Sequence, residues 1–320
     1  MSKNVTPYHQ LRAATQARDR GLRDKVMSLE EAARLVKDGE HVGIGGCHTS
    51  RTPIAMIWAL IRARRKDLVI SRSITSTEGD LLLASGISRH VITSWFTQGI
   101  VWGVSKVMRH YTENRLAQFE EWSHMSIGLR YRAGAMGLPF IPSRSMLGSD
   151  VIVRLGGMVR TMSCPFTGEE LVLLPALNPD VVLIHVQRCD CYGNAQIDGL
   201  QFMDIDMAMA ANRVILTTEC IVSNDQIRRT PDHTRIPFFA VEAVVEVPMG
   251  SAPHECYGLY EPLFPHLDAY AARTKDPVKG AQAYLDEYYY GPTSWTDYLA
   301  RLGMAEVLDA CRRGRSVYND

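Results

Sequence analysis

The chain carries 320 residues, 46% hydrophobic and 22% charged, the balance of an ordinary globular protein with material for a large core. Its 35 basic and 35 acidic side chains cancel, which argues against nucleic acid or a membrane surface as the main partner. No apolar run approaches the roughly 18 residues of a membrane span, and residues 1–25 are polar, without the apolar centre of a secretory signal, so a soluble cytoplasmic protein is expected.

Residues 1–26 read as a charged, weakly helical extension, set apart from one large domain over 27–320. The pattern over 27–36 is a helix, with Ser28 as N-cap, Glu31 completing a capping box three residues later, and Gly39 as the stop. His41–Ile44 is the first buried strand, 54–65 an amphipathic helix and 68–70 a second strand. Residues 91–93 read as another strand. A long helical stretch over 113–136 follows, ended by the two prolines of Gly137-Leu138-Pro139-Phe140-Ile141-Pro142. Continuous apolar runs at 171–174 and 181–186 predict buried strands, 204–211 a helix, and 214–217 and 241–247 further strands. From about Tyr257 the chain is helical and aromatic, most clearly over 297–308. Helices alternating with short, uniformly apolar strands predict an α/β fold: an open, mostly parallel sheet with helices on both faces, followed by a helical C-terminal segment.

Seven scattered cysteines do not form a disulfide framework and suit a reducing compartment. Cys189-Asp190-Cys191 is the one close pair. With no second pair and no spaced histidine, it predicts no metal site.

The most informative segment runs from His41 to Pro53 and contains Gly43-Ile44-Gly45-Gly46-Cys47-His48-Thr49-Ser50-Arg51. A strand enters a glycine turn and a helical pattern opens behind it. Glycines there permit positive φ and close approach of a ligand to the backbone. Free N–H groups in such a turn can bind an anion or a developing oxyanion. A tight turn with no ligand is the alternative, and the segment alone leaves both open. The spacing Gly-x-Gly-Gly is not the dinucleotide fingerprint.

Five segments in order carry a resemblance: Gly45 to Pro53, Gly137 to Pro142, Ile184-His185-Val186-Gln187 with Asp204-Ile205-Asp206, Ile227-Arg228-Arg229-Thr230-Pro231, and Glu255-Cys256-Tyr257-Gly258-Leu259-Tyr260. On these, the chain resembles the α subunits of family I coenzyme A transferases, the glutaconate type above all, over about residues 27–308. The resemblance implies a CoA thioester as substrate and no permanently bound cofactor. It also implies a β subunit that supplies the nucleophilic glutamate, in an α2β2 or higher assembly. Attack of that carboxylate gives an acyl-glutamyl anhydride and then glutamyl-CoA, splitting one difficult acyl exchange into easier steps. Each tetrahedral intermediate needs oxyanion donors, which Gly45, Gly46, Cys47, Ser50 and Gly79 are placed to supply or to shape.

Cys47 departs from the aromatic usual at its position; a thiol nucleophile beside His48 is a further reading, though adjacent residues rarely face one another. His48 is expected to face the pocket, and Arg51 to contact a phosphate or carboxylate. Glu78, in Thr77-Glu78-Gly79-Asp80, is either a base or polarity filter near the pocket, or an exposed loop acid or N-cap neighbour. Related steroid ring-opening CoA hydrolases use an α-subunit glutamate, and alignment from the Leu-Pro-Phe anchor places Glu121 at or near it. Acids at the start of a helix have a plain dipole role as the alternative. His185 reads as a core histidine, His124 lies near Glu121, and Arg228-Arg229 as a solvated or subunit-facing pair. Tyr257, Tyr260 and Tyr288 to Tyr290 read as packing or interface residues. CoA transfer is the expected activity and opening of a CoA-linked cyclic β-diketone the alternative. A non-catalytic sugar-phosphate-binding module is the third reading, disfavoured by the lack of a DNA-binding pattern.

Overall fold

A computed structural model describes residues 7–19, 21–99 and 101–315. In chain order the elements are α1 (Tyr8–Ala17), α2 (Leu29–Leu35), β1 (His41–Ile44), α3 (Ile54–Arg62), β2 (Leu68–Thr75), α4 (Thr77–Ala84), β3 (Ser88–Phe96), α5 (Lys106–Glu113), β4 (Gln118–Glu121) and α6 (His124–Ala135). There follow β5 (Phe140–Ser143), α7 (Asp150–Leu155), β6 (Arg160–Ser163), β7 (Glu170–Pro175), β8 (Val181–Cys189), β9 (Ala195–Gln196), α8 (Asp204–Ala210), β10 (Arg213–Ile221) and α9 (Asn224–Arg229). The chain closes with β11 (Thr234–Ile236), β12 (Val241–Glu246), α10 (Phe264–Arg273), α11 (Lys279–Tyr284) and α12 (Trp295–Arg315). A π-helical turn over Leu285–Tyr290 follows α11, and α12 is interrupted at Gly303, which has φ 99°.

Strands β4, β3, β2, β1, β8, β10 and β12 lie side by side, every neighbouring pair parallel. The short β9 and β11 add antiparallel pairs at one end of β8. Alternate residues enter opposite cores. Val42, Ile44, Val181, Leu183 and Ile215 pack with α2, α3 and the C-terminal tyrosines, whereas Val182, Ile184, Val186, Val214 and Leu216 pack under α6 and α8. With both faces covered, the inner strands have no polar side, which is why they read as continuous apolar runs. The expected α/β sheet with helices on both faces is therefore present, and so is the helical C-terminal segment.

The chain runs from β1 outward through β2, β3 and β4, then returns to place β8 on the other side of β1 and continues to β10 and β12. The direction of winding reverses between β1 and β8. In open α/β sheets this reversal leaves a crevice at the carboxyl ends of the two strands, where ligands bind. The turn after β1 sits there.

Several local expectations are corrected. The helical stretch over 113–136 is α5, then β4, then α6. Arg115, with φ 52°, cannot continue a right-handed helix, and β4 pairs with β3 from His90↔Gln118 to Thr93↔Glu121. Glu120 and Glu121 consequently lie on a strand, with Ser123 capping the helix behind them. The segment 171–174 belongs to β7, the middle of a separate three-stranded antiparallel sheet, and β5 forms inside the proline-rich breaker. The capping box is present: Ser28 Oγ accepts from Glu31 N at 3.2 Å while Ser28 N donates to Glu31 Oε2 at 2.9 Å. Residues 1–6 of the extension lie outside the described residues; α1 buries none of its side chains.

Candidate active site

The turn after β1 is held from below. Gly45 N donates to Leu183 O at 2.8 Å and Gly46 N to Asp204 Oδ1 at 2.7 Å. Cys47 N donates to Ser50 O, His48 N to Ile74 O, Ser50 N to Cys47 O, and Arg51 N to Glu255 O. Gly46 has φ 68°, and a Cβ there would lie 2.2 Å from Ser50 O, so this position admits glycine alone. The glycines shape the turn; neither of their amides is left free for an oxyanion.

The expectation that Arg51 contacts a phosphate or carboxylate of the substrate is corrected. Its side chain is buried and points inward, with Nη1 on Asp204 Oδ2 at 2.6 Å and His185 O at 3.1 Å, and Nη2 on Leu200 O at 2.8 Å. It is a structural bracket between the turn, β8 and the start of α8. Ser50 faces a small separate cavity beside Glu255 and Tyr257.

Glu78 opens α4 and is fully buried, which removes the reading of an exposed loop acid. Its Oε1 lies 2.5 Å from Arg72 Nη1 and accepts from Ser76 N at 2.8 Å. Arg72 Nη2 donates to Thr52 Oγ1 at 2.9 Å, and His254 bridges Thr52 Oγ1 and Thr77 Oγ1 at 2.8 Å each. Burial pushes the His254 pKa well down, so this imidazole is neutral. The chain Glu78–Arg72–Thr52–His254–Thr77 thus ties α4, β2 and the glycine turn into one polar floor. Gly79 lies elsewhere on α4, where a Cβ would meet Met108 Sδ at 3.1 Å; its role is close packing of α4 on α5.

Burial raises the Cys47 pKa, and its sulfur neighbours Ser73 Oγ at 3.8 Å. His48 Nδ1 contacts Thr49 Oγ1, so the thiol–imidazole pair is not formed. His48 does face a cavity. Its Nε2 is buried without a partner, and burial lowers its pKa. That cavity, of about 620 Å³, is bounded by His48, Ile74, Trp95, Trp102, Val104 and Phe264.

A second cavity of about 470 Å³ shares Trp95 and Val104 with the first and contains Glu121, Arg109 and Arg154. Glu121 is half exposed and stands 3.6 Å from Arg154. Glu120 points the other way, buried against His90 Nε2 at 2.9 Å and Trp122 Nε1. The structure therefore brings His48 and Glu121 to adjoining hollows, and keeps Glu78 within the buried floor.

His185 is the core histidine expected, with Nδ1 on Thr217 Oγ1 and Nε2 on Glu219 Oε1 at 2.7 Å. Glu219, a residue the sequence does not single out, also accepts from Met249 N, Gly250 N and Tyr260 Oη. Nothing in the sequence reading points to Arg72, Thr52 or His254 either. An arginine inside β2 behind the apolar Leu68-Val69-Ile70, followed six residues later by an acid, is the available signal for the first of them.

Comparison with known proteins places this geometry. The coenzyme A transferase family model matches residues 26–247. A protein of Archaeoglobus fulgidus is 37% identical over 92% of this chain, which spans 66% of that protein's length. The A subunit of glutaconate CoA-transferase from Acidaminococcus fermentans is 31% identical over 89% of this chain and 94% of its own. The cholesterol ring-cleaving hydrolase IpdA subunit of Rhodococcus jostii is 28% identical over 87% of this chain and 95% of its own. The crystal structure of the Acidaminococcus fermentans glutaconate CoA-transferase superposes with a TM-score of 0.84, at 31% identity over 89% of this chain and 95% of that one.

Proposed function

The chain belongs to the coenzyme A transferase family, and from that premise we propose that it is the α subunit of a heteromeric CoA-transferase. It moves CoA between carboxylic acids, with a β subunit supplying the glutamate nucleophile. The observation that carries this reading is the composition of the cavity at His48, beyond the carboxyl ends of β1, β2 and β3. Among the described residues, no carboxylate lines the cavity at His48, and Glu78 beneath it is already held by Arg72. The cleft is open and rimmed by exposed Trp95, Val101 and Phe264. It is the half of a site that awaits a nucleophile from another chain.

In this reading the β-subunit carboxylate attacks the acyl-CoA carbonyl, forming the acyl-glutamyl anhydride and expelling CoA thiolate. The thiolate then attacks the glutamyl carbonyl, releasing the first acid and leaving a glutamyl-CoA thioester. The second acid runs the two steps in reverse. This chain positions the acyl group: the buried floor fixes the turn, and neutral His48 lines the cavity, its Nε2 buried and unpartnered. Cys47 and Glu78 act in the frame, not in bond-making. An α2β2 or higher assembly in the cytoplasm belongs to the same proposal. Among the described residues no helix is long and apolar enough to cross a membrane.

A borohydride trap tests it. The chain is purified with its partner, incubated with acyl-CoAs, reduced, and digested for mass spectrometry. A reduced glutamate on the partner supports the transferase. Consumption of acyl-CoA with water incorporated and no reduced glutamate overturns it. A hydrolase is the second reading, favoured by Glu121, a half-exposed acid beside Arg154 in a cavity next to the first.

A further inference from the structure

We propose that the cavity at His48 is the acyl subsite of the transferase just described, and that it selects apolar acyl groups, ring-bearing or branched, against short dicarboxylates. The inference rests on the transferase reading and adds to it the class of acid.

The argument starts from the walls. About 620 Å³ is the size of a small-molecule site, large enough for a phenyl or cyclohexyl group. Ile74, Val104, Pro262 and Phe264 supply aliphatic and aromatic surface, and Trp102 a flat face. Trp102 is not a free side chain. Its Nε1 donates to Asp268 Oδ1 at 2.6 Å and its ring lies 6.4 Å from that of Phe264, so the aromatic wall is set before a ligand arrives. A preset wall loses little conformational freedom on binding.

The polar side chains of the lining are His48, Thr49 and Thr97, and the Thr97 hydroxyl is already held by Gly103 O. His48 Nε2 is buried without a partner, and Thr49 lies beside it. A carboxylate or thioester carbonyl placed there leaves the rest of the acyl group along the apolar walls. No Lys or Arg lines this cavity among the described residues. A second carboxylate at the distal end would lose its hydration and meet no cation, the least favourable burial a ligand can make. Arg109 and Arg154 line the neighbouring cavity beyond Trp95, in the company of Glu113 and Glu121.

The experiment uses the complex of this chain with its partner. Transfer of CoA from acetyl-CoA is measured to 3-phenylpropionate, isovalerate and glutarate, and the borohydride trap is repeated with the CoA thioester of each acid. The kcat/KM for 3-phenylpropionate is expected to exceed that for glutarate by about 10- to 200-fold, the range one apolar pocket can supply. Val104→Arg is expected to reverse the order, and Phe264→Ala, which removes wall without adding charge, to weaken 3-phenylpropionate alone. Equal or better use of glutarate by the wild-type complex overturns the proposal while leaving the transferase intact. If no thioester traps a glutamate, the transferase reading fails instead. Quenching of tryptophan fluorescence by 3-phenylpropionate but not glutarate, lost in Val104→Arg, still supports an apolar acyl subsite. No quenching by either acid means that the partner's surface fills the cavity, and overturns the proposal.

Discussion

The floor and the wall of the cleft are built in opposite ways. Beneath the glycine turn, two arginines are buried to within 1% and each is matched to one carboxylate, Arg51 to Asp204 and Arg72 to Glu78. The wall, contributed by Trp95, Thr97, Val101 to Val104, Pro262 and Phe264, is mostly loop, apolar and partly exposed, with Trp95 at 52% and Val101 at 81%. The floor spends charge on fixing one backbone geometry. The wall leaves apolar surface uncovered, which fits a region finished by substrate and partner. Substitutions in the floor should therefore act on stability, and substitutions in the wall on substrate use.

The largest effect is expected from Asp204→Ala. It leaves the Arg51 guanidinium buried without its carboxylate and frees the Gly46 amide, and breaking such a pair costs about 3–5 kcal/mol. Urea unfolding of the complex reads it. Replacing both partners with apolar residues, Arg51→Met with Asp204→Leu, should recover much of the loss, because no charge is then stranded. A loss under about 1 kcal/mol in the single variant would erase the distinction between floor and wall.

Asp80 joins the two regions. Its carboxylate takes hydrogen bonds from Ser105 Oγ, Gln98 Nε2 and Tyr270 Oη, and so pins both ends of the wall loop to α4 and α10. Burial lifts its pKa from 3.8 to about 6, against those three bonds. The folded chain thus takes up this proton before the unfolded chain does. The stabilising contribution is complete below about pH 4 and is lost as pH rises to about 6, a swing of about 3 kcal/mol. Thermal midpoints of the wild-type complex and of Asp80→Asn, taken from pH 4 to 8, should diverge in slope across that window. Parallel curves would mean that the wall is not tied to the frame through this carboxyl.

The two regions also differ in legibility. β1, β8 and β10 can be read because they are buried on both faces, and a short unbroken apolar run is what a doubly covered strand requires. Residues 114–121 cannot. Leu116, Ala117, Gln118, Glu120 and Glu121 are sound helix formers, and pairing with β3 overrides that preference. In the small sheet β7 shows as an apolar run, but β5 carries a proline and β6 is polar, so neither periodicity nor composition marks those two. In the site, the glycine turn and His48 are visible as a local run. The direction of Arg51 is not, because its carboxylate lies 153 residues away and only the fold brings it near. The same kind of separation hides the His254 bridge, 202 residues from Thr52.

In the wall, Val101→Ser should leave unfolding within about 0.5 kcal/mol of wild type, as an exposed substitution does. It should still raise KM for an apolar acid several-fold with kcat nearly unchanged, since the lost contact is made equally in ground and transition states. A fall in kcat without a change in KM would place Val101 nearer the chemistry than the wall description allows.

The smallest expected effect is also the most discriminating. Glu121 sits at the carboxyl end of β4, half exposed, with Arg154 at 3.6 Å and also mostly exposed. A surface pair of that kind contributes about 0–1 kcal/mol, so Glu121→Gln should not perturb the fold. In a transferase whose glutamate comes from the partner, it should not perturb turnover beyond about twofold either, because the first cavity and its floor do not include Glu121. A hydrolase that uses this acid as a general base would instead lose about 100-fold or more, the contribution of such a group. Because stability is held constant, a large loss in kcat could not be assigned to folding. The same variant, assayed for CoA transfer and for ¹⁸O incorporation from water, therefore separates an acid that does chemistry from one that merely borders a cavity.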